Sequence, residues 1–273
     1  MLPIRRDLRF KLPAERISDW NAGGHHVSQF FNTLSIFFPS GERFFIDSVR
    51  NYRERITDPE LQKAVTAFIG QEAMHGREHI EYNDALVASG APADAMERLV
   101  ISLLNFAKKT LPRPEQLAVT IALEHFTAIL ADILLREPKL LEGAEPRFAA
   151  LWRWHALEET EHKAVAYDVY QAVIGKGPGA YVRRCIALAA LTVIFWSLVI
   201  PFHLIIMIKD GGLLDLKGWW NLVKFHWLKP GALRRIIPAY FDWYKPGFHP
   251  WQHDNRRYLA EIDRIAETYR VAA

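Results

Sequence analysis

The chain holds 273 residues, half of them hydrophobic, with a net charge of +3. That is ample for one large core or one core plus an appendage, and the mild basic excess, with no long basic run, argues against a nucleic-acid partner. The single cysteine, Cys185, excludes internal disulfides and fits a reducing compartment.

Taken in chain order, Met1 to Lys11 mixes arginine, aspartate and proline with no apolar stretch. No secretory signal is expected, and the chain reads as cytoplasmic. Residues 1–38 read as an irregular lead-in with a flexible Gly23-Gly24-His25-His26 spot. Pro39-Ser40-Gly41 punctuates, and a helix opens at Glu42-Arg43-Phe44-Phe45-Ile46. Thr57-Asp58-Pro59-Glu60 combines a cap, a first-turn proline and an acid, which starts a second helix. It runs to about Ser89 and ends at Gly90-Ala91-Pro92. A helix over roughly 93–110 carries no ligand candidate. Pro112 and Pro114 open the next, which carries Glu124 and ends near Glu137-Pro138. The following helix starts around Pro146, runs to about Ile174 and meets a boundary at Gly175, Gly177, Pro178 and Gly179. Residues 39–177 thus predict an all-α helical bundle, with no strand pattern in competition.

Residues 178–273 form a C-terminal hydrophobic and aromatic helical extension. Cys185 to Ile208 holds 24 residues without a charge, preceded by Arg183-Arg184 and followed by Lys209-Asp210. About 20 apolar residues suffice to cross a bilayer, but Pro201 sits mid-run, and a buried helix pair bent there is the alternative. Trp219-Trp220, Phe225, Trp227, Tyr240, Phe241, Trp243, Tyr244, Phe248 and Trp251 follow, interleaved with Lys and Arg, a composition that suits a headgroup layer. The expectation is contact with a membrane surface through residues 185–251, by monotopic or re-entrant insertion rather than a full span. About Arg256 to Tyr269 reads as an ordinary amphipathic helix.

Seven candidate metal ligands lie on the four helices of the bundle: Glu42, then Glu72 with His75, then Glu124, then His155 with Glu159 and His162. Glu72-x-x-His75 and Glu159-x-x-His162 each aim a carboxylate and an imidazole from one helix face, because positions i and i+3 are neighbours. His155, at i−4 from Glu159, shares that face as a third nitrogen donor. One Glu from each of two helices plus one Glu-x-x-His from each of two others is the ligand set of a dinuclear carboxylate site in a four-helix bundle. Without cations the same residues would bury several carboxylates together, at several kcal/mol per ion. Carboxylate and imidazole donors favour iron or manganese, and also zinc; two iron ions are the expected pair, with manganese or zinc as alternatives.

Residues 40–175 resemble a ferritin-like di-metal bundle. His155-x-x-x-Glu159-x-x-His162 is similar to the last helix of the arylamine N-oxygenases. The whole chain resembles a bacterial family labelled predicted metal-dependent hydrolases, on Pro39-Ser40-Gly41-Glu42-Arg43-Phe44-Phe45, Gln71-Glu72-Ala73-Met74-His75 and Trp154 through His162. Carried over by position, the likeness makes Glu42, Glu72, His75, Glu124, His155, Glu159 and His162 the ligands. The aromatic tail has no counterpart in the N-oxygenase pattern and speaks against a small soluble arylamine substrate.

Other residues carry weaker signals. His79, at i+4 from His75, is an eighth ligand or a group that orients one. Glu158 and Glu161 flank the motif and read as solvated or supporting. His125, turned away from Glu124, reads as structural, and His25-His26 as loop residues. Asp47, Asp132 and Asp168 are candidates to orient ligating imidazoles, and Tyr52, Tyr82 and Tyr167 are redox or supporting candidates against a default of buried, hydrogen-bonded tyrosines. The expected function is a di-iron oxygenase or oxidase that takes electrons from a donor and acts on an apolar or lipid-like substrate. A metal-dependent hydrolase with metal-activated water is the alternative, and a non-catalytic metal-binding membrane protein the second. The chain could also pair as a homodimer.

Overall fold

Two of the long helices start where capping chemistry puts them. The computed structural model describes residues 2–270. In it Asp58 accepts the backbone N–H of Glu60 just ahead of Pro59, and Glu145 accepts those of Arg147 and Phe148 just ahead of Pro146. Proline in a first turn forfeits no helical hydrogen bond. The helices are α1 (His25–Ser35), α2 (Phe38–Arg50), α3 (Pro59–Ala88), α4 (Ala93–Thr110), α5 (Arg113–Arg136), α6 (Pro146–His162), α7 (Val165–Val173), α8 (Pro178–Lys209), α9 (Leu216–Trp227), α10 (Ala232–Asp242) and α11 (Ile262–Tyr269). Among the described residues there is no strand, only an isolated antiparallel bridge between Leu8 and Arg270. The protein is all-α.

Helices α2, α3, α6 and α5 form a ring in which each packs on its two neighbours. These four carry the seven candidate ligands, and a ring of four helices gives their inward faces one shared interior. Helix α4 packs on α2 and α3 from outside.

The stretch read as an irregular lead-in contains a buried helix. All residues of α1 except His25 are buried, including Ser28, Gln29, Asn32, Thr33 and Ser35. Polar residues hold many of its buried positions, so its composition resembles that of a loop. Several of these polar groups find partners nearby: Asn32 Nδ2 donates to Ile17 O at 2.8 Å, Trp20 Nε1 to Asn32 Oδ1 at 3.1 Å, and Thr33 Oγ1 to Gln29 O at 2.7 Å. The helix expected over Pro146 to Ile174 is interrupted between α6 and α7, where Lys163 buries its stem and donates to Asn255 Oδ1 at 2.7 Å.

Residues beyond 178 pack on the bundle. Helix α8 lies against α5 and α1, and α10 against α5 and α9. Leu188, Trp243 and Phe248 join the apolar cluster around Phe44, Phe68 and Ile121, while Phe202 and Phe225 join the one around Trp20, Phe148 and Trp154. Helix α8 continues through Pro201 as one element and not as a bent pair. Helices α5 and α8 are both long and apolar enough to cross a membrane; the apolar window of α5 is 67% buried, as bundle core, whereas that of α8 is 17% buried.

Candidate metal centre

The structure brings all seven candidates together inside the ring, none more than 3% exposed. Their donor atoms fall into three overlapping groups, each within 4.8 Å of one another: Glu42, His75 and His155; Glu72, His75 and Glu159; and Glu72, Glu124 and His162. Two carboxylates span the centre. Glu159 sets Oε1 3.0 Å from His155 Nε2 and Oε2 3.4 Å from His162 Nε2. Glu72 sets Oε1 3.2 Å from His162 Nε2 and Oε2 3.8 Å from His75 Nδ1. Glu42 and Glu124 each approach one side only, at 3.7 Å from His155 Nε2 and 3.9 Å from His162 Nε2. Glu72 is shared by two of the three groups and Glu159 reaches imidazoles on both sides of the centre. Gly76 makes space for Glu42: a Cβ there would lie 3.3 Å from Glu42 Oε2.

The electrostatics fit cations. Both carboxylate oxygens of Glu42, Glu72 and Glu124, together with His75 Nδ1 and His162 Nε2, are buried with no hydrogen-bond partner. Buried polar atoms are ordinarily paired, and two divalent ions would both satisfy these atoms and neutralise the four carboxylates. Burial, reinforced by neighbouring carboxylates, holds Glu42 and Glu124 well above the usual carboxylate range. Burial would also raise Glu159, but His162 and His155 outweigh it and hold its pKa well below that range. Burial, with His75 nearby, pushes His155 down to about 4, which keeps the imidazole in the neutral form a metal requires.

Each imidazole is oriented by a partner behind it, and the partners assign the nitrogen that faces the centre. His75 donates from Nε2 to Glu158 Oε2 at 3.1 Å, leaving Nδ1 inward. Gln71 donates its amide to Glu161 Oε2 at 2.7 Å, so its carbonyl accepts His162 Nδ1–H at 2.9 Å and Nε2 points inward. Ser35 donates to Asn83 Oδ1 at 2.7 Å, so its oxygen accepts from His79 Nδ1 at 2.9 Å. His79 Nε2 then accepts His155 Nδ1–H at 2.8 Å, leaving His155 Nε2 inward. Outer partners of this kind set tautomer and ring angle in metal sites. Behind them Arg6 binds Glu161 through two N–H···O contacts of 2.9 Å and Glu158 at 3.2 Å.

Some of the remaining expectations hold and others are corrected. His79 faces His155 and not the centre. Glu158 and Glu161 are buried rather than solvated, in the supporting role. Asp47 pairs with Lys108 at 2.6 Å, Asp132 with Arg136 at 3.2 Å and Asp168 with His249 at 2.9 Å, so none of the three orients a candidate ligand. Tyr82 donates to Asn32 Oδ1 and Tyr167 to Phe248 O, as structural tyrosines do; Tyr52 is buried in the Phe44 cluster. His125 stacks on Trp243 as a structural residue. His25 and His26 belong to α1, and His26 is buried rather than in a loop. Sequence reasoning missed Gln71, Ser35, Asn83, Arg6 and Thr127. The Thr127 hydroxyl donates to Glu159 Oε2 at 2.7 Å, and its i+3 spacing from Glu124 was an available signal.

Two small apolar pockets reach the centre. One, of about 80 Å³, is lined by Phe30, Phe31, Leu34, Thr127, His155 and Glu159 among others. The second, of about 140 Å³, includes Phe38, Glu42, Leu104, Phe126, Thr127 and Phe195. Thr127 is common to both.

Residues 4–254 match the model of a family described as predicted metal-dependent hydrolase. No curated protein and no solved structure matches the chain, so nothing in these comparisons supports the likeness to arylamine N-oxygenases.

Proposed function

We propose, from the premise that this chain belongs to the predicted metal-dependent hydrolase family, that it holds two divalent metal ions in the bundle and hydrolyses an apolar substrate there. The observation that carries the reading is the set of buried, unpartnered carboxylate oxygens and imidazole nitrogens converging from four helices. Glu42, His75 and His155 would hold one ion and Glu124 and His162 the other, with Glu72 and Glu159 shared. When bound, such a pair lowers the pKa of a bound water and polarises a substrate oxygen. Carboxylate and imidazole donors suit zinc, manganese or iron. The residues behind the imidazoles fix which nitrogen faces inward, Thr127 steadies Glu159 beside both pockets, and the apolar walls exclude bulk water.

A second reading is favoured by the lining of the pocket beside Glu42, where Thr127 and Glu42 are the only side chains with a hydrogen-bonding group. A lining so apolar suits oxidation of an unactivated hydrocarbon by a di-iron centre with O2 and an external electron donor. The discriminating experiment is turnover of p-nitrophenyl alkanoates and of alkyl substrates by protein reconstituted with zinc, manganese or iron. Anaerobic ester cleavage with zinc or manganese and no reductant supports hydrolysis. Turnover only with iron, reductant and O2 supports the second reading, and inertness under all conditions contradicts both.

A further inference from the structure

A third cavity lies outside the ring, between α8, α9 and α10. Its volume is about 600 Å³, and its walls include Trp196, Ile200, Trp219, Trp227, Ile237 and Tyr240, with no charged side chain. Drug-sized ligands occupy pockets of about 300–1,000 Å³. It reaches the surface, since Ile200, Trp227 and Ile237 are exposed. It also backs onto the metal centre: Phe30, His226 and Leu233 wall both this cavity and the pocket that touches His155 and Glu159, and Phe126 walls both it and the pocket that touches Glu42. One layer of side chains therefore separates the outer cavity from each inner pocket.

The surface around the mouth is apolar and basic. On α8, α9, α10 and the α8–α9 turn, Val193, Ile205, Trp220 and Phe241 are exposed, and Leu214 and Leu216 are 87% and 80% exposed. Exposed large apolar side chains concentrated on neighbouring segments point to a contact site. Lys209, Lys217, Lys224, Lys229 and Arg234 lie on the same segments, and among the described residues none of them forms an ion pair. Apolar side chains that enter the acyl boundary, with unpaired cations at headgroup level, fit an anionic bilayer.

We infer that this cavity is the entry site for a substrate with a single unbranched alkyl chain, delivered from an anionic bilayer on which the α8–α10 face rests. The chain enters between Ile200 and Ile237, and displacement of Phe30 or Phe126 passes its reactive end to the pocket beside Glu159 or Glu42. This rests on the reading that the centre acts on an apolar substrate.

The test uses the full, metal-loaded chain and two readouts, neither involving turnover. In the first, cis-parinaric acid, a polyene fatty acid that accepts energy from tryptophan, is titrated in with Trp196, Trp219 and Trp227 as donors. Saturable transfer is expected, and Ile237→Arg, a change at an exposed position, should weaken it by about tenfold or more with metal content and helicity unchanged. In the second, the protein is sedimented with phosphatidylcholine vesicles with and without phosphatidylglycerol. Binding should need the anionic lipid and should be lost in Leu214→Glu/Leu216→Glu. Absence of saturable transfer, or equal affinity in Ile237→Arg, overturns the cavity site; failure to bind anionic vesicles overturns delivery from the bilayer. Retained chain and vesicle binding by a protein whose metal centre is inert would overturn the functional reading and the passage to the centre, while leaving the chain-binding cavity and the bilayer face standing.

Discussion

His79 Nε2 lies 2.8 Å from His155 Nδ1, at the end of a chain that starts at Asn83 and passes through Ser35. Each member fixes the proton of the next, so His155 presents a lone pair on Nε2 to the centre. Replacing His79 with leucine keeps the volume apolar but removes the acceptor and frees the ring to turn. Loss of such an outer partner costs about 10–100-fold in metal affinity. Competition with a chelator would measure it, and unchanged affinity in His79→Leu would rule the chain out as an orienting device.

Arg6 is the counterion for two buried carboxylates that hold the site from behind, Glu158 and Glu161. Truncating one partner of a buried pair leaves an uncompensated charge, at about 3–5 kcal/mol. Arg6→Ala should unfold at markedly lower denaturant and bind metal weakly. Arg6→Lys should recover only part of the loss, because lysine cannot make the two-pronged contact with Glu161. Equal stability of Arg6→Ala and the parent would contradict this role.

Gly76 sits inside α3, where glycine costs about 1 kcal/mol relative to alanine. Gly76→Ala should therefore stabilise the metal-free helix, yet its Cβ would press on the Glu42 carboxylate. The expected result is a higher melting temperature without metal and weaker metal binding. An affinity unchanged by the substitution would show that Glu42 does not need the space.

His226 tests the docking of the extension by pH. It is buried against Phe30 at 4.2 Å, with neither ring nitrogen paired. Burial, with His203 nearby, pushes it down to about 3. The unfolded chain takes up a proton below pH about 6.5 that the folded one refuses, so this contribution is intact above that pH and is lost progressively as pH falls toward 3. Between pH 7 and pH 5 the loss should be about 2 kcal/mol. Denaturation of the parent and of His226→Phe at both pH values should show a smaller acid penalty in the variant; equal penalties would remove His226 as the cause.

The ring of helices and the seven converging residues were legible because metal ligands on helices repeat at i, i+3 and i+4, spacings that a sequence displays directly. What lay behind them was legible only in part. His79 shares the face of His75, but whether it reaches the centre or His155 depends on the position of α6. Arg6 meets Glu158 and Glu161 across more than 150 positions of chain, so no local pattern announces it. Helix α1 stayed hidden because its buried polar residues, bonded to one another, imitate the composition of a loop.

The central claim is a two-ion centre in which Glu159 reaches both ions. Its most direct test is elemental analysis of the purified protein beside Glu159→Ala and Glu42→Ala, with helicity checked in each. About two ions per chain are expected in the parent, about one in Glu42→Ala and close to none in Glu159→Ala. A folded parent with less than about one ion per chain after reconstitution, or a Glu159→Ala variant that retains the parental metal content, would contradict it.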